Sequence, residues 1–427
     1  MKTILKNCTL LDGRENMIPV AGMNVVISDG IIEKVTAEEV ADEGKIIDLG
    51  GRYLMPGLIN MHVHLPAGGK MKKKPVDNEK LIKIVLKNKF TRGVGIALCK
   101  SFAKSELYSG VTTVRTVGGV SDFDTILRDR INSGKTLGPR ILAANTAVGV
   151  PGGHMVGTVA VGCKTPEEAK EAVRKLASEK VDLIKLMITG GVLDAKVKGE
   201  PGVLKMPAEF VRACCDEAHR LGLKVAAHVE SPEGVKVAVY NGVDTIEHGA
   251  VMDEETAKKF EETGASYICT LSPALPLAKF DREITHATEM VRYNSNVVLD
   301  GVINGTKKAL EHGVKVGLGT DTGCPFVTHY DMWRELAYFV KLVGVSPEFA
   351  LHTATLVNAE IAGIDKETGS IEVGKSADFI VADKNPLDDF RNLAEPYMVA
   401  IRGKIIKNPK IKKYADCEKY LDEYMPE

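Results

Sequence analysis

Aromatic residues are scarce in this chain of 427, which has a single tryptophan, and neither sign of charge is in excess: 56 lysines and arginines face 57 aspartates and glutamates. Nothing in that balance asks for nucleic acid or for an anionic membrane surface. No run approaches the ~18 consecutive apolar residues that span a bilayer. The opening "MKTILKNCTLLDGREN" lacks the apolar core of a secretory signal, because Asn7 and Asp12 interrupt it. The eight cysteines include no C-x-x-C pair, and Cys214 and Cys215 are adjacent. That distribution reads as reduced thiols in a cytoplasmic protein and excludes a disulfide framework. Linker-like and low-complexity stretches are absent too. The length then suits two domains, or one barrel with an attachment.

Two textures alternate along the chain. Residues 1–56 carry short apolar stretches broken by Asp-Gly and Gly-Gly, as in "NVVISDGIIEKV" and "KIIDLGGRYLMPG", which predict antiparallel strands with tight turns. Residues 365–427 repeat that texture in "GSIEVGKSADFIVADKNP" and "EPYMVAIRGKIIKNP", with a terminal helix after them. Residues 57–364 have another rhythm, in which short apolar strands alternate with amphipathic helices such as "TPEEAKEAVRKLASEK" and "PAEFVRACCDEAHRLG". "GLINMH", "GVTTVRTVGG", "PRILAANTAV", "VDLIKLMITGG", "LKVAAHVE", "VDTIEHGA", "ASYICTLS" and "VKVGLGTDTG" make eight strands. The expected fold is α/β: a (β/α)8 TIM barrel, with the two β-rich ends forming one small β-sandwich because barrel termini lie close in space. The basic stretch "GGKMKKKPVDNEK" after strand 1 reads as a solvated loop, or as a cover for the barrel mouth.

Polar residues at the C-terminal ends of barrel strands are where chemistry sits in this architecture. His62 and His64 end strand 1, and alternation in an extended strand points both imidazoles the same way. Lys185 interrupts the apolar run of strand 4, His228 ends strand 5, His248 ends strand 6 and Asp321 ends strand 8. Each alone has a bland reading, as a core histidine or a turn aspartate. Together, at five strand ends in register, they point to a metal centre. Lys185 is the hardest to explain otherwise, since an ammonium aimed into a barrel must be paired, neutralised or modified. Carboxylation by carbon dioxide turns it into an anion able to bridge two cations.

The set His62-Val63-His64, Lys185, His228, His248 and Asp321 resembles the amidohydrolase superfamily of metal-dependent hydrolases. "SGVTTVRTVGG", "LIKLMITGGV", "GVDTIEHGAVMD" and "GSIEVGKSADFIVAD" are similar to its imidazolonepropionase-related branch, with Xaa-Pro and Xaa-Arg dipeptidases, arginine and lysine carboxypeptidases and ochratoxin-type amidases. The resemblance implies two zinc ions per chain, one on His62, His64 and Asp321, the other on His228 and His248, bridged by carboxylated Lys185. It implies a metal-bridging hydroxide as nucleophile, Asp321 as proton shuttle, and a small-molecule amide substrate such as a dipeptide or an N-acyl amino acid. A homo-oligomer is expected as well. His154 follows a glycine pair and is expected to contact a substrate carbonyl or carboxylate, or else to be a loop histidine in solvent. Arg115, ending strand 2, receives a substrate carboxylate through its planar fork, or serves as an interior ion-pair partner.

Other activities remain open to different degrees. A cyclic-amide hydrolase of the imidazolonepropionase or dihydropyrimidinase kind is the main alternative. A mononuclear deaminase would carry a glutamate three residues after the strand-5 histidine, where this chain has Ser231. A non-catalytic scaffold would have lost ligand residues, and none is missing here.

Overall fold

A computed structural model of the chain describes residues 2–41, 43–70 and 76–425. The centre of the basic stretch, residues 71–75, lies outside the described residues. Five strands open the fold: β1 Lys2–Leu10, β2 Val20–Ser28, β3 Ile31–Thr36, β4 Lys45–Asp48 and β5 Tyr53–Pro56. The middle of the chain supplies β6 Leu58–Val63, β7 Val111–Thr116, β8 Arg140–Leu142, β9 Ala147–Gly149, β10 Ala160–Gly162, β11 Leu183–Met187, β12 Lys224–Val229, β13 Thr245–His248, β14 Ser266–Cys269 and β15 Val316–Leu318. Three more follow: β16 Phe379–Ala382, β17 Met398–Ile401 and β18 Lys404–Lys407.

The barrel is built from β6, β7, β8, β11, β12, β13, β14 and β15, with β9 and β10 as a short side ladder. Its hydrogen-bonded neighbours all run parallel. Every residue of β6, β7 and β11 is buried, as expected of strands covered on both faces. Helices supply the outer cover. Helix Pro166–Ser178 is typical: Thr165 caps its N-terminus by accepting from the Glu168 N–H, and Ala169, Val173 and Leu176 turn one apolar stripe inward. Two seams close the cylinder. The Asp182 N–H donates to the Ala143 carbonyl at 2.8 Å, joining the end of β8 to the start of β11, and the Asp321 N–H donates to the His62 carbonyl at 2.8 Å beyond β15. Gly319 makes that second approach tight, since a Cβ there would lie 2.6 Å from the backbone nitrogen and Cβ of His62.

The two ends of the chain meet in the β-sandwich, where β5 pairs antiparallel with β16. The order is β18-β17-β16-β5-β1-β2-β3, with β4 also on β1. Leu5, Cys8, Val25, Ile27, Leu54, Phe379, Val381 and Met398 form its own buried core. Arg140, at the start of β8, spans the two units by donating to Asp378 at 2.7 Å and to Glu367 at 2.6 Å. Among the described residues no helix is long and apolar enough to cross a membrane.

Candidate active site

The strand ends converge at the C-terminal mouth of the barrel. The His62 ring centroid lies 5.3 Å from that of His64 and 4.7 Å from that of His248, and His228 lies 4.7 Å from His248. The Asp321 carboxylate reaches His64 Nε2 at 3.1 Å and His62 Nε2 at 3.5 Å. His62, His248 and Asp321 offer ligand atoms within 4.8 Å of one another, and so do His228, Glu230 and His248. His248 and Asp321 both sit at positive φ, 65° and 58°. Such backbone is costly for residues with a side chain, and its recurrence here turns both groups out of strand alternation.

Each of the four imidazoles has one ring nitrogen held from outside the cluster. His62 Nδ1 bonds Glu247 at 2.8 Å and His64 Nδ1 bonds the Gly118 carbonyl at 2.8 Å. His228 Nε2 meets the Gly190 carbonyl at 3.2 Å and His248 Nδ1 the Thr270 hydroxyl at 2.7 Å. A carbonyl or carboxylate only accepts, so the proton of His62, His64 and His228 sits on the outer nitrogen. On His62 and His228 the inner nitrogen is left with its lone pair. Burial would lower His64, but the Asp321 carboxylate at its Nε2 raises it. Burial, reinforced by the Lys185 ammonium, brings His62 down to about 4. Burial and the neighbouring imidazoles hold His228 and His248 well below the ordinary histidine range. Burial would raise Asp321, but His62, His64 and His248 outweigh it and keep the carboxylate ionised.

Lys185 is 1 % exposed, and among the described residues its Nζ has no hydrogen-bond partner. Burial lowers it to about 8, against the opposing pull of Glu247 and Asp321. Imidazoles held on their outer nitrogens, an ionised aspartate and a buried amine form a donor set that fits divalent cations.

His154 is brought to the same place. Its ring stacks on His228 with centroids 4.2 Å apart, and Asp194 holds its Nδ1. Gly191 makes room for it, since a Cβ there would lie 2.7 Å from the imidazole. Arg115 is not available to a ligand, and of its two sequence readings the interior partner replaces the carboxylate receptor. The side chain is buried and its fork is spent inside the barrel: Nε donates to the Met61 carbonyl at 2.8 Å, Nη1 to Thr245 at 3.0 Å and Nη2 to Glu247 at 2.6 Å. Each of the three guanidinium nitrogens therefore meets an acceptor inside the barrel.

Three acids escaped the reading of the sequence. Glu247 is fully buried between Arg115 and His62, which hold it ionised despite burial. Its signal was the one that exposed Lys185, a charge inside an apolar strand, but adjacency to His248 suggested the opposite face. Glu230 accepts from the Val192 N–H at 3.1 Å, and burial together with the Asp321 charge raises it to about 8. Asp194 lies in a loop with no periodic signal at all.

Known proteins have this fold. The model of the amidohydrolase family matches residues 53–406. A candidate prolidase from Bifidobacterium longum has a similar structure, with a TM-score of 0.87, 40 % identity, and cover of 99 % of this chain and 98 % of that one. An Xaa-Pro dipeptidase with methionine bound in its active site follows at 0.84 and 32 %, over 95 % of this chain and all of that one. Ochratoxinase from Aspergillus niger is 26 % identical over 92 % of this chain and 84 % of its own length. Family model, strand order and the polar strand ends agree, and the chain belongs to the amidohydrolase family of metal-dependent hydrolases that cleave C–N bonds.

Proposed function

We propose that the chain is a binuclear zinc hydrolase that cleaves the amide bond of a dipeptide or an N-acyl amino acid, with Lys185 carboxylated between the two metals. The observation that carries this reading is the unpartnered Lys185 amine among four oriented imidazoles and Asp321. Carboxylation replaces an ammonium that burial disfavours with an anion that two cations stabilise. His62, His64 and Asp321 would hold one cation, and His228 and His248 the other. Cations held there supply Lewis acidity toward the amide carbonyl and make water nucleophilic near neutral pH. Asp321 takes the proton from the attacking water and hands it to the leaving nitrogen. His154, anchored through Nδ1 by Asp194, keeps Nε2 for the substrate carbonyl or carboxylate.

Support for an amino-acid leaving group comes from the relatives, a candidate prolidase and an Xaa-Pro dipeptidase with bound methionine. Ser231 weighs against deamination, because its side chain caps helix Pro232–Tyr240 by accepting from the Gly234 N–H. The reading includes a cytoplasmic location, where the chain's cysteines stay reduced. It also includes a homo-oligomer. Phe90, Val94 and Leu98 are exposed at i, i+4 spacing along helix Lys89–Tyr108, an apolar stripe that a second copy would cover.

The test is a metal assay joined to a substrate screen. The purified protein is expected to hold roughly two zinc ions per chain and to hydrolyse members of a dipeptide and N-acyl amino acid library. Lys185→Ala should lose the paired metals and activity, with partial recovery in acetate. Turnover of hydantoins or lactams in place of open-chain amides would move the cyclic-amide reading ahead.

A further inference from the structure

Glu230 follows His228 by two residues at the end of β12, so strand alternation sends both side chains to the barrel mouth. A carboxylate oxygen of Glu230 lies within 4.8 Å of the ligand nitrogens of His228 and His248. The Val192 N–H holds its Oε2 from the short helical turn Val192–Asp194, which also carries Asp194, the partner of His154. Asp321 faces His62 and His64, and Asp194 faces His154. Among the described residues no cation is paired with Glu230. Glu230 is partly exposed at the mouth, so a cationic group that arrives with the ligand can reach it.

We propose that Glu230 receives the free α-ammonium group of the substrate, so that the enzyme prefers dipeptides with an unblocked N-terminus over N-acylated amino acids. The proposal rests on the reading of the site as an open-chain amide hydrolase and chooses between its two substrate classes. Geometry supports the choice. In an α-aminoacyl group the ammonium nitrogen is two bonds, about 2.5 Å, from the scissile carbon. Its acceptor must therefore stand beside the catalytic histidines and not at the outer rim, and that is where Glu230 stands. Oε2 stays on the Val192 amide while Oε1 meets the ammonium. The His154–Asp194 pair on the same turn is left for the other side of the peptide group.

Two measurements test this with Glu230→Gln, which keeps the shape and an oxygen for the Val192 N–H. The first is calorimetric binding of L-leucinamide and N-acetyl-L-leucinamide to the metal-loaded protein. Wild type should bind the free amine at least about tenfold more tightly, and the variant should bind both alike. Equal or undetectable binding of the two by wild type overturns the proposal whatever the enzyme hydrolyses. The second is kcat/KM on a hydrolysed dipeptide and its N-acetyl counterpart, with metal content and melting temperature recorded for each protein. The variant should lose roughly 30- to 300-fold on the dipeptide and under about threefold on the N-acetyl compound, at unchanged metal content. Equal loss on both, or loss of one metal, makes Glu230 a ligand of the metal centre and ends the proposal. Absence of turnover on every open-chain amide ends the substrate reading, while the binding measurement still decides the role of Glu230.

Discussion

At the scale of single residues, the site consists of groups whose alternatives have been removed. Asp321 has both His62 and His64 within 3.5 Å and stays ionised, as the proposed proton shuttle must. Asp321→Asn keeps an oxygen that still coordinates weakly but cannot carry a proton. It should drop kcat below a tenth of wild type, a barrier rise of more than ~1.4 kcal/mol, with much of the metal retained. Steady-state kinetics beside metal analysis checks this, and a variant above that tenth removes Asp321 as the shuttle. His62 sets a pH dependence. Its folded value of about 4 lies below the ordinary 6.5, chiefly because it is buried. The unfolded chain therefore binds the extra proton first. The stability tied to the neutral ring is present above pH 6.5 and is lost as pH falls toward 4. Metal-stripped protein should lose on the order of 3 kcal/mol through this residue across that window, read as a falling urea midpoint. His62→Gln should flatten the fall, and an unchanged profile would contradict the burial that sets it.

At the scale of elements, Arg115 acts as a strut across the barrel interior. From β7 it reaches the backbone of β6 through Met61 and the side chains of β13 through Thr245 and Glu247. Glu247 passes the constraint to His62, so three strands and one imidazole share a single buried network. Arg115→Ala leaves Glu247 charged and uncompensated in the interior. The expected cost is ~3–5 kcal/mol of stability in urea unfolding. Metal affinity should fall roughly 10- to 100-fold through the misplaced histidine. Because the three Arg115 nitrogens are bonded to Met61, Thr245 and Glu247, kcat/KM should fall by the same factor on free-acid and amidated substrates. A loss confined to free acids would return Arg115 to the binding pocket.

The whole molecule depends on how the sandwich is fastened to the barrel. Asp378 is buried and accepts from Arg140, Thr368, Ser376 and the Arg402 N–H. Of these, Arg140 meets it directly through a guanidinium, from the first residue of a barrel strand, and the Arg402 charge acts on it as well. Arg140→Met should cost ~3–5 kcal/mol by stranding that carboxylate, while metal content at the distant mouth stays at the wild-type level. Thermal melts with metal analysis separate the two effects. Equal loss of metal would show that the seam and the site are coupled.

Local chemistry alone made much of this legible. Short strands broken by Asp-Gly and Gly-Gly turns marked the sandwich and strands alternating with amphipathic helices marked the barrel, while the polar residues within or closing the apolar runs of the barrel strands were conspicuous. A lysine in "LIKLM" is anomalous wherever the strand lies, because desolvation penalises an ammonium without reference to neighbours. The direction of a guanidinium is another matter. Arg115 at a strand end suits a ligand or an interior acid equally, and only the closing of β7 against β6 and β13 puts Met61, Thr245 and Glu247 on its three donors. Glu247 and His248 are adjacent, and alternation would send them to opposite faces. The left-handed backbone at His248 goes with both of them meeting His62. Asp194 and Glu230 join the site through one loop amide and one stacked ring, contacts between segments far apart in the chain, which local propensity does not encode and close packing does.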